Sequence, residues 1–408
     1  MKLTSKHTIA AGYVGYATQA LVINFAPLLF ITFENNYNIS LSKIGLLIAI
    51  SFIAQFSIDA LAARFASRMN TRITVVAGQM SAVLGMLSLG FLPELLPDPF
   101  WGLVIATVLA AIGGGVIEVF ISPIVEACPT KEKSASMSLL HSFYSWGSAA
   151  TVLLSTIFFS TAGIENWRIL ACLWAILPAV GAIMFAFVPI YELTTNDSPA
   201  TSTKERSLMR SGLFWIFFVI MFCAGAAEMA MSQWASSFAE SGLGVDKTLG
   251  DLLGPLSFAI FMGSARVFYA FFGKRIKLTG FFTVSAILCT ISYLIAALSH
   301  IPILSLLGCA LCGLSVGIMW PGTYSMATAR IDFGGVRMFA LLALAGDLGC
   351  IVGPSLAGAI AEIFGNDLQI SFALSALFPL LILALLPFVL LLTKRQNTNE
   401  TKGNKKYE

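Results

Sequence analysis

Long apolar stretches, each about the length needed to cross a bilayer, constrain the fold of this chain more than any other feature. About 20 consecutive apolar residues span the hydrocarbon core as an α-helix. Twelve stretches of roughly this length run over residues 8–33, 41–63, 73–92, 100–127, 134–161, 166–190, 212–239, 248–272, 278–298, 301–329, 336–362 and 368–392. Only 11% of the 408 residues are charged, whereas a soluble domain has about 25%. The sequence therefore predicts an all-α polytopic membrane protein.

The charges between these stretches indicate the orientation of the chain. Basic residues cluster in the loops on the side that carries both termini, whereas the loops on the other side hold only Lys43, Arg168 and Lys247. Lysine and arginine are enriched on the cytoplasmic side of membrane proteins. We therefore expect a multi-pass protein of the cytoplasmic membrane with both termini in the cytoplasm.

A polar segment between the sixth and seventh stretches divides the chain into two halves of six helices. The two halves share a short sequence pattern. Gly115 precedes Pro123 by eight residues in the fourth stretch, and Gly313 precedes Pro321 by eight residues in the tenth. Internal repeats are typical of secondary transporters. The expected divisions are an N-terminal bundle (1–191), a cytoplasmic linker (192–211), a C-terminal bundle (212–393) and a disordered cytoplasmic tail (394–408).

Ionisable and polar side chains at membrane depth mark the candidate site. Glu118 and Ser122 share one face of the fourth stretch beside Pro123, and His141 and Tyr144 share one face of the fifth. Such groups are costly in hydrocarbon unless they face a watery cavity or a partner. They indicate a site for a solute or a proton, or else a structural ion pair inside the bundle.

The seventh stretch carries a second carboxylate close to an amide and an indole. Glu228, Gln233 and Trp234 lie within one short segment. An indole offers an apolar face on which a sugar ring can stack, while amides and carboxylates bind its hydroxyls. This combination favours a sugar pocket, and the alternative is a tryptophan that anchors the helix at the membrane interface. The other candidates for solute binding are Gln19 and Asn24 in the first stretch and Trp320 and Tyr324 in the tenth.

Further charged residues are candidates for coupling or gating, a role that Glu118 also shares. Arg266 in the eighth stretch needs an anionic partner or substrate, because an unpaired guanidinium is expensive in the membrane. Asp347 in the eleventh stretch is a candidate for charge compensation or ion coupling. A charged gate on the inward side is expected from Asp59, Arg64 and Arg68, at the cytoplasmic end of the second stretch.

These patterns together resemble the major facilitator superfamily, and within it the fucose permease-like branch of sugar:cation symporters. The segment from Asp59 to Arg68 resembles the superfamily's Gly-x-x-x-Asp-Arg-x-Gly-Arg-Arg loop, with Ala63 in place of the aspartate and Ala66 in place of the glycine. The Glu-x-x-x-Asn-Pro, Gly-Ala-Glu, Gly-Arg and aromatic-Pro patterns of the branch correspond to Glu118–Pro123, Ala226–Glu228, Ala265–Arg266 and Trp320–Pro321. Ser122 stands in place of the asparagine, and Ala226 and Ala265 stand in place of the glycines. The resemblance implies twelve spans that surround a central solute cavity.

One departure from this family affects the expected coupling. Fucose permeases carry an aspartate in the first span that is thought to act with the fourth-span glutamate, and the stretch Leu21–Pro27 contains none. The coupling ion is then a proton carried by Glu118 alone, a proton shared with Glu228 or Asp347, or a sodium ion. We expect no other cofactor.

The sequence favours a secondary active transporter that moves a small polar solute, with a monosaccharide as the first candidate, coupled to a cation. Two alternatives are a proton-driven exporter of another small molecule and a transporter-like membrane sensor. We find no nucleophile elbow, zinc motif or phosphate-binding loop typical of an enzyme, and no basic patch for nucleic acid. The expected partners are the solute and the lipid bilayer, with the protein itself a monomer.

Single-cysteine labelling tests the predicted orientation. A cysteine introduced at Asp98 or Asp246 should react with a membrane-impermeant maleimide in intact cells, because loops poor in lysine and arginine face outward. Cysteines at Arg210 and Lys274 should react only after the membrane is permeabilised. If positions 210 and 274 react in intact cells instead, the predicted topology is wrong.

Overall fold

All the secondary structure in the described part of the chain is helical. The structure is a computed structural model, and it describes residues 3–65, 69–129, 133–191, 208–272, 276–331 and 335–404. Within the described residues, 11 helical segments are long and apolar enough to cross a membrane, and the helix Lys133–Ala162 has 30 residues. The predicted all-α polytopic fold is confirmed.

Each predicted apolar stretch forms one helix or a broken helix, and we number these as spans 1 to 12 in chain order. Spans 2, 3, 4, 5, 9 and 11 are the single helices Leu41–Phe65, Thr71–Leu95, Pro99–Ala127, Lys133–Ala162, Leu278–Leu298 and Gly335–Ile363. Spans 1, 6 and 12 are broken into Ser5–Asn24 and Phe30–Tyr37, Trp167–Trp174 and Ile176–Phe187, and Leu368–Ser375 and Leu377–Asn404. Spans 7, 8 and 10 contain Gly212–Ser237, Lys247–Asp251 with Ser257–Phe272, and Pro302–Val316 with Met319–Thr328.

Several of these breaks lie where a proline or a wider helical turn disturbs the backbone. The turn Ala26–Leu29 in span 1 is a 3₁₀ helix that has Pro27 near its start. The segments Phe238–Gly242 and Leu252–Leu256 at the facing ends of spans 7 and 8 are π-helical. Irregular backbone at membrane depth is tolerated only where protein or a cavity covers it. Protein covers Pro27 in span 1 and Gly254 and Pro255 in span 8, which are buried, whereas the end of the segment Phe238–Gly242 is exposed.

Spans 7 and 11 pack with their backbones in contact. A Cβ atom at Gly349 would clash with the carbonyl of Phe222, and one at Gly353 would clash with the carbonyl of Ala226. Small residues allow helices to approach closely, and dispersion then holds them together in the absence of a hydrophobic driving force. The close packing brings Glu228 of span 7 near the segment of span 11 that carries Asp347.

The two halves meet at one end of the bundle. We call the end where span 1 begins the terminal end, and the opposite end, at the loop of residues 38–40, the far end. At the far end the Ser42 amide of span 2 donates a hydrogen bond to Glu362 Oε2 of span 11 at 2.7 Å. Ser355 Oγ of span 11 donates to the Gly45 carbonyl of span 2 at 3.2 Å. These bonds close one side of the far end.

Two contacts from span 5 to an ion pair within span 8 close the other side of the far end. Lys247 Nζ lies 3.2 Å from Asp251 Oδ2, and Ser236 Oγ donates to Asp251 Oδ1 at 2.5 Å. From the other half, Thr156 Oγ1 of span 5 donates to Asp251 Oδ2 at 3.5 Å. The Lys247 ammonium also lies 5.8 Å from the centre of the Phe159 ring. We call these five residues the far-end latch.

No hydrogen bond between two described residues joins the halves at the terminal end. The bonds between halves lie at the far end or at mid-depth, where Arg266 Nη1 donates to Ser145 Oγ at 3.3 Å and Gln233 Nε2 donates to the Ile23 carbonyl at 3.4 Å. The described structure is therefore the conformation that is closed at the far end.

The last helix extends beyond the predicted end of the C-terminal bundle. It continues to Asn404, through much of the segment 394–408 that we predicted to be disordered. Lysine, arginine, glutamine and glutamate are good helix formers, and adding residues to an existing helix avoids the cost of nucleation. The polar composition of this segment therefore did not prevent helix formation.

Candidate transport site

Glu118 is held by two amide side chains from neighbouring spans. Gln19 Nε2 of span 1 donates to Glu118 Oε2 at 2.7 Å, and Gln55 Nε2 of span 2 donates to the same oxygen at 2.5 Å. Both glutamines are buried, at 5% and 7% exposure. Gln19 was predicted from the sequence, whereas Gln55 was not. The sequence contains a signal that could have identified Gln55, since it is a polar residue inside an apolar stretch.

A second polar contact lies on the same face of span 4, toward the terminal end. Tyr16 Oη and Ser122 Oγ are 2.6 Å apart. Ser122 follows Glu118 by one helical turn, so both side chains point toward span 1. The structure therefore places the predicted pair Glu118 and Ser122 together, and it adds Tyr16 to the set.

A pocket between the two halves brings the other polar candidates together. Asn24 Nδ2 of span 1 donates to Ser148 Oγ of span 5 at 3.0 Å, and Ser148 Oγ donates to the Tyr144 carbonyl at 3.0 Å. The residues that line this pocket are Asn24, Tyr144, Ser148, Glu228, Met229, Ser232, Pro255, Phe258, Ala259 and Met262. Both halves supply hydroxyl or carboxyl groups to it, and span 8 supplies much of its apolar wall. We call it the central pocket.

Glu228 and Arg266 form a loose ion pair beside the central pocket. Arg266 Nη2 lies 3.8 Å from Glu228 Oε1, which is too long for a hydrogen bond. The guanidinium uses its other nitrogens elsewhere, since Nη1 reaches Ser145 Oγ at 3.3 Å and Nε donates to the Gly317 carbonyl at 3.4 Å. Glu228 Oε2 is buried and has no hydrogen-bond partner among the described residues. Glu228 is thus the anionic partner that we predicted for Arg266. The hydrogen-bonding capacity of its carboxylate is only partly satisfied.

Span 11 packs against span 7 beside the pair formed by Glu228 and Arg266, since a Cβ atom at Gly225 would clash with the Gly346 carbonyl. Tyr144 lines the central pocket together with Glu228, and Tyr324 of span 10 is partly buried against the hydrophobic core. The Trp320 ring packs against Gly346, the residue before Asp347. A Cβ atom at Gly346 would clash with the indole ring. Glu228 and Asp347 therefore lie on two spans whose backbones pack against each other.

Trp234 lies apart from the central pocket. It is fully buried, its Nε1 donates to the Pro354 carbonyl at 2.9 Å, and its ring lies 5.4 Å from that of Phe30 in the other half. Glu228 and Trp234 are six residues apart, so they point in different directions from one helix. Gln233 borders a separate and mostly apolar cavity near Phe30. In the described conformation Trp234 packs between the halves and offers no free face to a solute.

Several predicted residues fall outside the described part of the structure. Arg68 lies in an undescribed segment, and the side chains of Asp59, Arg64 and His141 are likewise not described. The predicted inward gate of Asp59, Arg64 and Arg68 therefore stays a prediction, as does a role for His141. The described residues contain no cluster of three or more histidine, cysteine, aspartate or glutamate side chains suited to a metal ion.

The sequence pattern of the Major Facilitator Superfamily matches residues 11–336, which is most of the chain. The chain belongs to the Major Facilitator Superfamily. It is a transporter-family protein rather than an enzyme, and the resemblance inferred from the sequence is confirmed at this level. No curated protein sequence matches the chain.

Solved structures of superfamily members share the fold of the whole chain. The crystal structure of the nucleoside transporter NupG has a TM-score of 0.74 at 12% identity, and the match covers 96% of this chain and 99% of that one. A variant of the E. coli fucose:proton symporter FucP has a TM-score of 0.63 at 14% identity, with 93% and 98% covered. FucP in its outward conformation has a TM-score of 0.61 at 15% identity, again with 93% and 98% covered. At these identities the likeness shows the fold and leaves the solute open.

A double-mutant cycle tests whether Glu228 and Arg266 depend on each other in this superfamily member. Arg266→Met should lower the melting temperature of the purified protein, because breaking a buried pair and leaving one charge costs about 3–5 kcal/mol. Adding Glu228→Gln should restore part of that loss, since both charges are then absent.

Arg168→Met is the matched control for this cycle. Arg168 forms an exposed ion pair with Glu94, and exposed pairs contribute about 0–1 kcal/mol, so its melting temperature should change little. If the losses of Arg266→Met and Glu228→Gln simply add, the two side chains are not coupled.

Proposed function

We propose that the protein is a secondary active transporter that moves a small hydroxylated solute of the monosaccharide class across the cytoplasmic membrane. The observation that carries this proposal is the central pocket, to which both halves contribute polar side chains at mid-depth. A site between two halves that rock against each other is exposed to each side in turn. The hydrogen bonds that close the far end fit one state of such a cycle.

The distribution of basic residues supports an orientation for this state. The loops at the terminal end carry most of the lysines and arginines, so the positive-inside rule assigns that end to the cytoplasm. The far-end latch then faces outward, and the described conformation corresponds to a pocket closed to the outside.

The chemistry of the pocket supports a hydroxylated solute. Asn24, Ser148 and Ser232 offer hydroxyl and amide groups, while Phe258 and Met262 form an apolar wall. Sugars present hydroxyl edges together with apolar ring faces, and such a mixed pocket can bind both. The fold neighbours include a nucleoside transporter and a fucose:proton symporter, so nucleosides belong in the solute panel alongside monosaccharides.

The surroundings of Glu118 support a role in cation coupling. Gln19 and Gln55 are uncharged, and a carboxyl oxygen can accept from both of them whether the group is ionised or carries a proton on its other oxygen. Arg266, the obvious cationic competitor, lies beside Glu228 instead. The hydrogen bonds from these two amides are therefore compatible with either protonation state of Glu118, which supports its role as a proton carrier.

Replacing Glu118 tests this proposal in vesicles. Glu118→Gln mimics the neutral acid in nearly the same volume, so it should keep solute binding and exchange between equal pools. It should abolish accumulation of a labelled sugar or nucleoside driven by an imposed proton gradient. Glu165→Gln, an exposed far-end glutamate, is the charge-matched control and should accumulate solute normally.

The same assay separates the alternatives. Accumulation by the Glu118→Gln variant under a proton gradient would show that Glu118 is not the carrier, and loss of binding would make it a solute ligand or a structural residue. Accumulation driven only by sodium would assign that ion to the coupling. Solute extrusion against its gradient would indicate an exporter, and no movement of any panel solute would contradict the proposed solute class.

A further inference from the structure

The central pocket contains a carboxyl oxygen that the protein itself leaves without a hydrogen bond. Glu228 is 4% exposed, lines the pocket, and its Oε2 atom has no partner among the described residues. Leaving a buried charged acceptor unsatisfied costs more than the hydrogen bond itself contributes, because the desolvation of the group is uncompensated. Retention of such an atom in a pocket wall indicates that a donor or a cation reaches it from the pocket.

The charges around the pocket indicate that this missing partner is positive. Glu228 lines the central pocket, and the close contact between Gly225 and Gly346 places Asp347 on the adjoining span. Arg266 is the one lysine or arginine in the middle of a described span. When Glu228 is ionised, the nearest guanidinium nitrogen is 3.8 Å away, so the charge of the carboxylate is compensated only in part. Uncompensated charge at membrane depth is expensive, so the neighbourhood favours a positive ligand.

Arg266 does not itself fill the vacant position at Glu228 Oε2. Its closest approach is to the other oxygen, Oε1, at 3.8 Å, and its Nη1 and Nε atoms are directed to Ser145 and Gly317. The guanidinium therefore forms a hydrogen bond to the other half, whereas it makes only a long contact with the Glu228 carboxylate.

We propose that Glu228 Oε2 is the binding point for a positively charged group that enters the central pocket. This inference rests on the proposed function only in taking the pocket as the solute site. The charge has two possible sources, which are an amino group on the solute itself or a free sodium ion. Ser148 and Ser232 add hydroxyl oxygens that suit either source. The Phe258 ring would favour an organic ammonium.

Binding to the purified full-length protein tests the inference with matched probes. Glucosamine carries an ammonium group, whereas N-acetylglucosamine and glucose are neutral. If the solute supplies the charge, glucosamine should bind at least tenfold more tightly than both neutral sugars. If a free ion supplies it, sodium chloride should raise the melting temperature above that in choline chloride of equal ionic strength.

Two variants test whether the preference for glucosamine or for sodium depends on the Glu228 carboxylate. Glu228→Gln should remove the preference for glucosamine or for sodium, whereas Glu94→Gln, which alters an exposed carboxylate outside the pocket, should retain it. If the Glu228→Gln variant does not fold, the comparison of probes on the unmodified protein still overturns the inference when neither ammonium nor sodium is preferred. The inference is overturned if neither ammonium nor sodium is preferred, or if Glu228→Gln retains the preference.

The outcomes also separate this inference from the proposed function. Equal binding of all three sugars without a sodium effect would contradict a cation at Glu228 and leave a sugar transporter intact. A sodium effect that depends on Glu228, with no movement of any sugar or nucleoside in vesicles, would support the cation site and contradict the proposed solute class.

Discussion

A charged or polar group inside a bilayer must find its partner within the protein, and this constraint governs the arrangement of the two halves. The carboxylates of Glu118, Glu228 and Asp251 all lie in predominantly apolar spans, and each contacts a side chain of another helix. Lipid tails provide no hydrophobic force that drives helices together. Small-residue packing and these polar contacts therefore determine which surfaces of the bundle meet.

The three carboxylates have different partners, and the difference fits three different tasks. Asp251 has a lysine and hydroxyl donors from both halves, so it holds the far end closed. Glu118 accepts hydrogen bonds from two neutral amides, which are compatible with either protonation state. Glu228 has a loose guanidinium contact and one oxygen without a hydrogen-bond partner among the described residues, which suits the binding of a ligand. Opening the far end would separate Thr156 from Asp251, so the latch adds to the barrier between the two states of the cycle.

The sequence predicts the fold well because bilayer thickness and loop charge act on each span separately. The sequence also points to Glu118, Glu228 and Arg266 as candidates, because an ionisable residue in an apolar stretch can be recognised without knowing which helices pack against it. Partners are harder to predict. Gln55 and Tyr16 contact span 4 only because spans 1 and 2 pack there. Trp234 satisfies its indole through the Pro354 carbonyl of a helix more than 100 residues away.

Distances between spin labels test most directly the central claim that the halves rock about the pocket. In a background without native cysteines, labels at Glu165 and His300 report on the far end, and labels at Asn70 and Lys277 report on the terminal end. Weakening the latch with Asp251→Asn should lengthen the far-end distance and shorten the terminal-end distance in part of the population. If both distances stay the same in the variant and in the unmodified protein, the latch does not control an alternating-access movement.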